Sequence, residues 1–283
     1  MIKANITIFN FYLTMMDYFS EYLSRKYENS SSETLAHYKT VIIQKIVRMF
    51  HTLEMLINES HDGVSARCVL RGILDNVATY CFIYQRDDKN EIMFRHYLYA
   101  LDGFRTLKKN VIDGIIEKEN DDQYYERICD ERIMQLENKL ISHPYSRIGN
   151  DNAQKIIQNA NWGYESLQKP RSLKYRMIYK QIGFNSNMAN YYQEYLPQFT
   201  HGLFISNFPM NDIKQIKAVI YESIPLADKF IQAIHKTFHD KEMLTHFLCS
   251  EKVQNFINSK DFKHEDLAEF ARALIRKDKT LLI

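Results

Sequence analysis

The chain is short of the residues that interrupt helices. Eight glycines and five prolines are spread over 283 positions, too few to turn the many short strands of a β-sandwich or barrel. It has no P-loop, no dinucleotide glycine fingerprint, no G-x-S-x-G elbow and no HExxH, so no cofactor is expected and the common nucleotide- and cofactor-dependent enzymes have no support. The four cysteines, Cys68, Cys81, Cys129 and Cys249, are scattered without a C-x-x-C pair. That spacing argues against a zinc module or a disulfide-built secreted scaffold, and for a reducing cytoplasm. Neither sign of charge is in excess, with 37 Lys and Arg against 35 Asp and Glu. A general nucleic-acid-coating role therefore has no compositional footprint, while a specific RNA contact stays open.

A long uninterrupted apolar run is also missing. The N-terminal stretch MIKANITIFNFYLTMMDYF is rich in Phe, Tyr and Met, but Asn5, Thr7, Asn10 and Asp17 break it well short of the ~18 apolar residues a membrane span needs. It is not followed by a small-residue cleavage site. We read it as an amphipathic core helix, so that no membrane is expected among the partners; docking on a partner or membrane surface is the alternative.

What is present is helical periodicity, which predicts an all-α, multi-helix bundle with long antiparallel helices. Helices are expected from about Asn5 to Lys26, from Glu33 to Asn58 with Ile42, Ile46, Met49, Leu53 and Leu56 buried, and from Asn90 to Glu119. A cluster of Ser residues around Ser32 offers the second of these a start. The charge-laced segment from Asn120 to Asp151 predicts a solvated arm, with a helix over Tyr125 to Leu140 leading through His143-Pro144 into a loop. Three more helices follow, Asp212 to Phe238, Lys241 to Ile257 and His264 to Arg276. We expect residues 1–205 to form the main bundle and 206–283 a C-terminal helical subdomain packed on it. The sequence does not determine the oligomeric state, whether homo-oligomer or complex with a partner protein.

The most informative stretch is Ser65 to Tyr84, SARCVLRGILDNVATYCFIY. On a helix, Ala66, Leu70, Ile73, Val77, Cys81 and Tyr84 make one continuous apolar stripe. A second face, Val64, Cys68, Arg71, Asp75, Ala78 and Phe82, is interrupted by an Arg and an Asp one turn apart. Charges taken out of water need partners. One reading is an intrahelical Arg71–Asp75 pair that satisfies itself. The other leaves Arg71 donors facing a polar pocket able to hold a carboxylate, a phosphate or a catalytic His.

A second stretch, Ser172 to Phe204, is crowded with Tyr175, Tyr179, Tyr191, Tyr192 and Tyr195, and Pro197 ends a helix just before His201-Gly202. His201 is a candidate proton-transfer group because its pKa range lies near neutrality. Tyr191, Tyr192, Tyr195, Arg95 and the only tryptophan, Trp162, are candidate ligand contacts, although Trp162, beside Gly163, also reads as a packed loop anchor. His235, His239, Glu242, His246 and Cys249 would share one arc of an unbroken helix. Asp240 should interrupt it, and one row cannot surround an ion, so a solvated histidine-rich face is the reading and no metal is expected.

The Leu70-Arg71-Gly72-Ile73-Leu74-Asp75 pattern and the tyrosine-rich segment from Tyr191 to His201-Gly202 together resemble an uncharacterised family of helical bacterial proteins, a domain of unknown function. The resemblance runs from about Asn58 to Phe204, with Asp75 where the family more often has Glu. It implies that Arg71, Asp75 and His201 share one pocket. More distantly the chain is similar to HEPN-like ribonucleases of bacterial toxin and phage-defence systems. Those carry an Arg and a His four to six residues apart on one helix, whereas here the pairs are Arg48-x-x-His51 and Arg95-His96.

Two functions follow as expectations. In the first, a metal-independent, RNA-directed activity, His201 is general acid or base, Arg71 stabilises phosphorane charge and Asp75 orients one of them. In the second, a non-enzymatic helical sensor or interaction module binds a small anionic ligand or a partner protein in the same pocket.

Overall fold

Helical periodicity is realised almost throughout. The computed structural model describes residues 2–30, 34–112, 122–201 and 212–249. Among them the chain is all-α, with no strand and only an isolated antiparallel bridge between Tyr164 and Ser172. The helices are α1 (Ile2–Lys26), α2 (Leu35–Met55), α3 (Gly63–Tyr84), α4 (Lys89–Ile112), α5 (Asp122–Ile141), α6 (Pro144–Gln158), α7 (Tyr175–Gln181), α8 (Ser186–Glu194), α9 (Pro197–Thr200), α10 (Asp212–Phe238) and α11 (Lys241–Cys249). A π-helical turn, Leu56–Ser60, extends α2 and ends at His61 in the left-handed region. The helix expected over His264 to Arg276, the Ser32 start and the far end of the helix expected to reach Glu119 lie outside the described residues.

The described residues fall into two compact units, one drawn from Met1–Tyr80 with Tyr191–Ile283, the other from Cys81–Asn190. Both boundaries lie inside helices, α3 and α8, and neither coincides with the expected one near residue 205. The reason lies in the first unit's core, where α10 and α11 pack among α1, α2 and α3. Phe230 of α10 stacks on Phe50 of α2 and meets Tyr80 of α3 edge-on. Phe247 of α11 sits against Phe11 and Phe19 of α1. Polar ties run alongside, from the Tyr12 hydroxyl to Asp228 at 3.3 Å and from Lys26 to Asp240 at 2.6 Å.

The stripe Ala66, Leu70, Ile73, Val77, Cys81 and Tyr84 is buried along its whole length. On α2 the phase is shifted from the expected row. Ile43, Ile46, Val47, Phe50 and Leu53 are buried, while Ile42 and Met49 lie at the margin. The helix starts at Thr34, whose hydroxyl accepts from the His37 N–H at 3.2 Å and so fixes one of the free amides of the first turn.

In the second unit α4, α5 and α6 enclose a core of Phe94, Leu98, Leu101, Leu136, Leu140, Ile156 and Tyr164. Two sequence expectations are corrected here. The segment expected as a solvated arm is α5, which buries Cys129, Leu136 and Leu140 and is tied to α4 by Arg105–Glu137 at 2.7 Å and by Lys108–Asp130. His143-Pro144 opens a helix rather than a loop. His143 Nδ1 accepts the Tyr145 N–H at 3.2 Å, and Pro144 occupies the first position, where a missing N–H costs nothing.

Candidate functional site

In the first unit the polar centre forms around an arginine that faces α10. Gly63, Arg67, Leu70 and Leu74 follow one another at helical spacing and all are buried. Gly63 allows close approach to α10, since a Cβ there would stand 2.5 Å from Gln215 Cβ. On α10, Gln215 and Glu222 lie two turns apart and so on the same side. Arg67, 2% exposed, gives one terminal N–H to Gln215 Oε1 at 3.2 Å and the other to Glu222 Oε1 at 3.4 Å. Its guanidinium also rests over aromatic rings, 4.8 Å from Phe199 and 5.8 Å from Tyr195. Cation–π contact compensates part of the lost hydration.

The tyrosines of α8 complete the cluster. The Tyr192 hydroxyl donates to the Glu222 carbonyl at 3.2 Å, one turn before Pro225, which stands inside α10. Tyr191 stacks on Tyr195, with ring centroids 4.9 Å apart. Its hydroxyl lies beside the Glu222 carboxylate. Burial first, and then the Glu222 carboxylate, raises the Tyr191 phenol, which therefore stays a neutral donor.

Three atoms of this cluster, Arg67 Nε, Glu222 Oε2 and the Tyr191 hydroxyl oxygen, are buried without a hydrogen-bond partner. Each such group costs about 1–3 kcal/mol. The site thus holds an unfilled donor and an unfilled acceptor side by side.

Arg67 was not among the residues the sequence pattern singled out. The available signal was its place on the apolar stripe, four residues after a glycine and three before Leu70. Arg71 and Asp75, which did stand out, occupy the more exposed flank. They form the i,i+4 pair at 3.1 Å, with side chains 15% and 30% exposed. Arg71 also donates to the Tyr192 carbonyl at 3.3 Å, joining α3 to the tyrosine-rich α8. His201 ends α9 and is exposed; among the described residues no partner meets its ring.

Arg95 and Trp162 belong to the second unit. Arg95 is fully buried. Its Nε–H donates to Glu91 at 2.8 Å, and one terminal nitrogen donates to the Trp162 and Tyr164 carbonyls, both at 2.9 Å. The guanidinium lies between the rings of Tyr164, at 3.7 Å, and Phe82, at 4.6 Å. It fastens the loop that carries Trp162, whose ring meets Phe82, Tyr99 and Tyr175 edge-on. Of the residues singled out in the sequence, Tyr195 meets Arg67 and Arg71 meets Asp75 and the Tyr192 carbonyl, while His201 meets none of them among the described residues and Arg95 and Trp162 belong to another constellation.

The histidine row is interrupted as Asp240 suggested. His239 is left-handed at φ 51°, and Asp240 accepts from the first amides of α11. Among the described residues no group of three or more His, Cys, Asp or Glu is placed to hold a metal ion, and no helix is long and apolar enough to cross a membrane. The chain matches no protein-family model, no curated protein and no solved structure.

Proposed function

We propose that the first unit is a non-enzymatic ligand-binding module whose site is the Arg67–Glu222–Tyr191 cluster. The observation that carries this reading is that Arg67 Nε and Glu222 Oε2, on two side chains that meet at 3.4 Å, are both buried without a hydrogen-bond partner. A small molecule offering an acceptor to Arg67 Nε–H and a donor to Glu222 Oε2 satisfies both, with the Tyr191 hydroxyl as the third contact. Carboxamides, ureido groups and the hydrogen-bonding edge of a nucleobase have that pattern. Thermal unfolding of the whole chain against acetamide, uracil and cytosine tests it. At least one should raise the midpoint saturably in the wild type and leave Arg67→Met unmoved. If none of the three raises the wild-type midpoint, the reading fails.

A metal-independent, RNA-directed activity is the second reading. It is favoured by the Arg71–Tyr192 contact, which links the Leu-Arg helix to the tyrosine-rich one, and by the exposure of His201. His201 would then serve as acid or base, with Arg71 and Asp75 supporting phosphorane charge and orientation. RNA cleavage that persists in EDTA and disappears in His201→Ala supports this reading, and absence of cleavage in the wild type removes it.

A further inference from the structure

The second unit carries a polar cluster of its own in which several donors are untaken. Arg86, just beyond α3, gives its Nε–H to the Phe82 carbonyl at 2.9 Å and lies 3.8 Å from Glu91 Oε1. Its guanidinium rests 4.5 Å from the Phe82 ring centroid. Among the described residues its two terminal nitrogens have no partner, and a side-chain exposure of 27% leaves them reachable from solvent. The carboxylate nearest to it, Glu91, is already held by Arg95 Nε at 2.8 Å. One carboxylate therefore serves two guanidiniums.

Tyr164 faces the same cluster. It is 1% exposed, and its buried hydroxyl has no hydrogen-bond partner. The Arg95 guanidinium lies 3.7 Å from the Tyr164 ring centroid and 4.6 Å from that of Phe82, on which Arg86 also rests at 4.5 Å, so Tyr164 belongs to the same group. Burial raises the phenol to about 12, so it is a neutral donor near pH 7. The other carboxylates do not fill the gap. Asp88 Oδ1 accepts the Asn90 N–H at 2.8 Å and Oδ2 accepts the Tyr145 hydroxyl at 2.7 Å, while Asp87 is exposed.

We infer that Arg86 and Tyr164 form a subsite for a small oxyanion, a carboxylate or a phosphate, whose oxygens accept from the terminal N–H groups of Arg86 and from the Tyr164 hydroxyl. The guanidinium fork matches two oxygens of one such group. Burial and then the neighbouring Arg95 pull Arg86 below its ordinary range, the direction expected where positive charge is under-compensated. A bound anion supplies what Glu91, shared with Arg95, does not. This subsite is independent of the Arg67 cluster and stands or falls without it.

Trp162 is the only tryptophan. Its carbonyl accepts from Arg95 and its ring lies 6.3 Å from Phe82, so its fluorescence reports on this cluster. The test is titration of the full chain with sodium acetate and, separately, sodium phosphate, each against sodium chloride at matched ionic strength. A saturable change with one or both oxyanions, absent with chloride, is expected, and the two arms distinguish carboxylate from phosphate. The affinity should fall about tenfold or more in Arg86→Gln and several-fold in Tyr164→Phe. Tyr164→Phe removes only an unpaired hydroxyl and so should keep the fold, which circular dichroism verifies; it decides the matter if Arg86→Gln does not fold. A response to both oxyanions that follows chloride, or variants that titrate like the wild type, overturns the subsite.

Discussion

Arg67 and Glu222 stand 155 positions apart in the chain and 3.4 Å apart in the fold. Their side chains are only 3% and 12% exposed, so removing one partner strands the other. Glu222→Leu should cost about 3–5 kcal/mol, and Arg67→Met a comparable amount. Replacing both together should restore much of the loss, because an apolar pair has no unpaired charge. Urea denaturation of the two single variants and the double variant checks this; additive losses would mean that the two groups do not act on each other.

Gly63 and Gly72 lie on the same helix and should respond differently to a methyl group. At Gly63 the added carbon meets Gln215 Cβ at 2.5 Å, and neither backbone can yield easily. Gly63→Ala should lose about 1–3 kcal/mol. At Gly72 the obstacle is the terminal methyl of Met49 at 2.9 Å, the end of a flexible side chain. There the helix-propensity gain of about 0.5–1 kcal/mol offsets the displacement, and thermal midpoints of the two variants should diverge.

Two histidines should give opposite pH dependences. His51 sits between Asp17 at 2.6 Å and Glu54 at 3.1 Å. Burial pulls its pKa down, but the two carboxylates outweigh it and the net shift is upward. Its contribution is therefore complete below the unfolded value near 6.5 and is lost as pH rises through the raised folded value. The midpoint difference between wild type and His51→Gln should be larger at about pH 5.5 than at about pH 8.5.

His96 is the reverse case. Burial, helped by Lys139, lowers it from 6.5 to about 4, and its Nδ1 is paired with the Tyr84 hydroxyl at 2.9 Å. Its contribution is present above the unfolded value and is lost as pH falls through the folded one. The gap corresponds to about 3 kcal/mol. Acid unfolding of His96→Gln should consequently lack a component that the wild type loses between about pH 6.5 and pH 4.

The exposed His201 and the half-buried Arg71 should contribute little to stability. His201→Ala should change the unfolding free energy by no more than about 0.5 kcal/mol. Arg71→Met removes the Asp75 pair and the Tyr192 carbonyl contact and should cost about 1 kcal/mol. Thermal unfolding with matched circular dichroism measures both. A loss of about 2 kcal/mol or more in His201→Ala would place that side chain in a structural network instead.

Periodicity alone determined much of this molecule. The spacing of apolar residues set the extent of α10, the end of α1 at Lys26 and the buried stripe of α3 from Ala66 to Tyr84, because a helix exposes its pattern in every turn. Asp240 marked the break before α11 for an equally local reason, a side chain that caps amides two and three residues on. His143-Pro144 misled because the same dipeptide ends one helix and begins the next, and only the packing of Ile156 and Ile157 into the second unit's core selects the helix. The division of the chain, and the identity of the central arginine, were decided by tertiary structure. Arg67 and Arg71 are one turn apart on α3, and sequence favoured Arg71 because Asp75 offered it a visible local partner. The partners of Arg67 are Gln215, Glu222 and the rings of Tyr195 and Phe199, all far along the chain. A periodic pattern states which face of a helix is buried, but what that face meets depends on contacts between distant segments, and those form only when the fold closes.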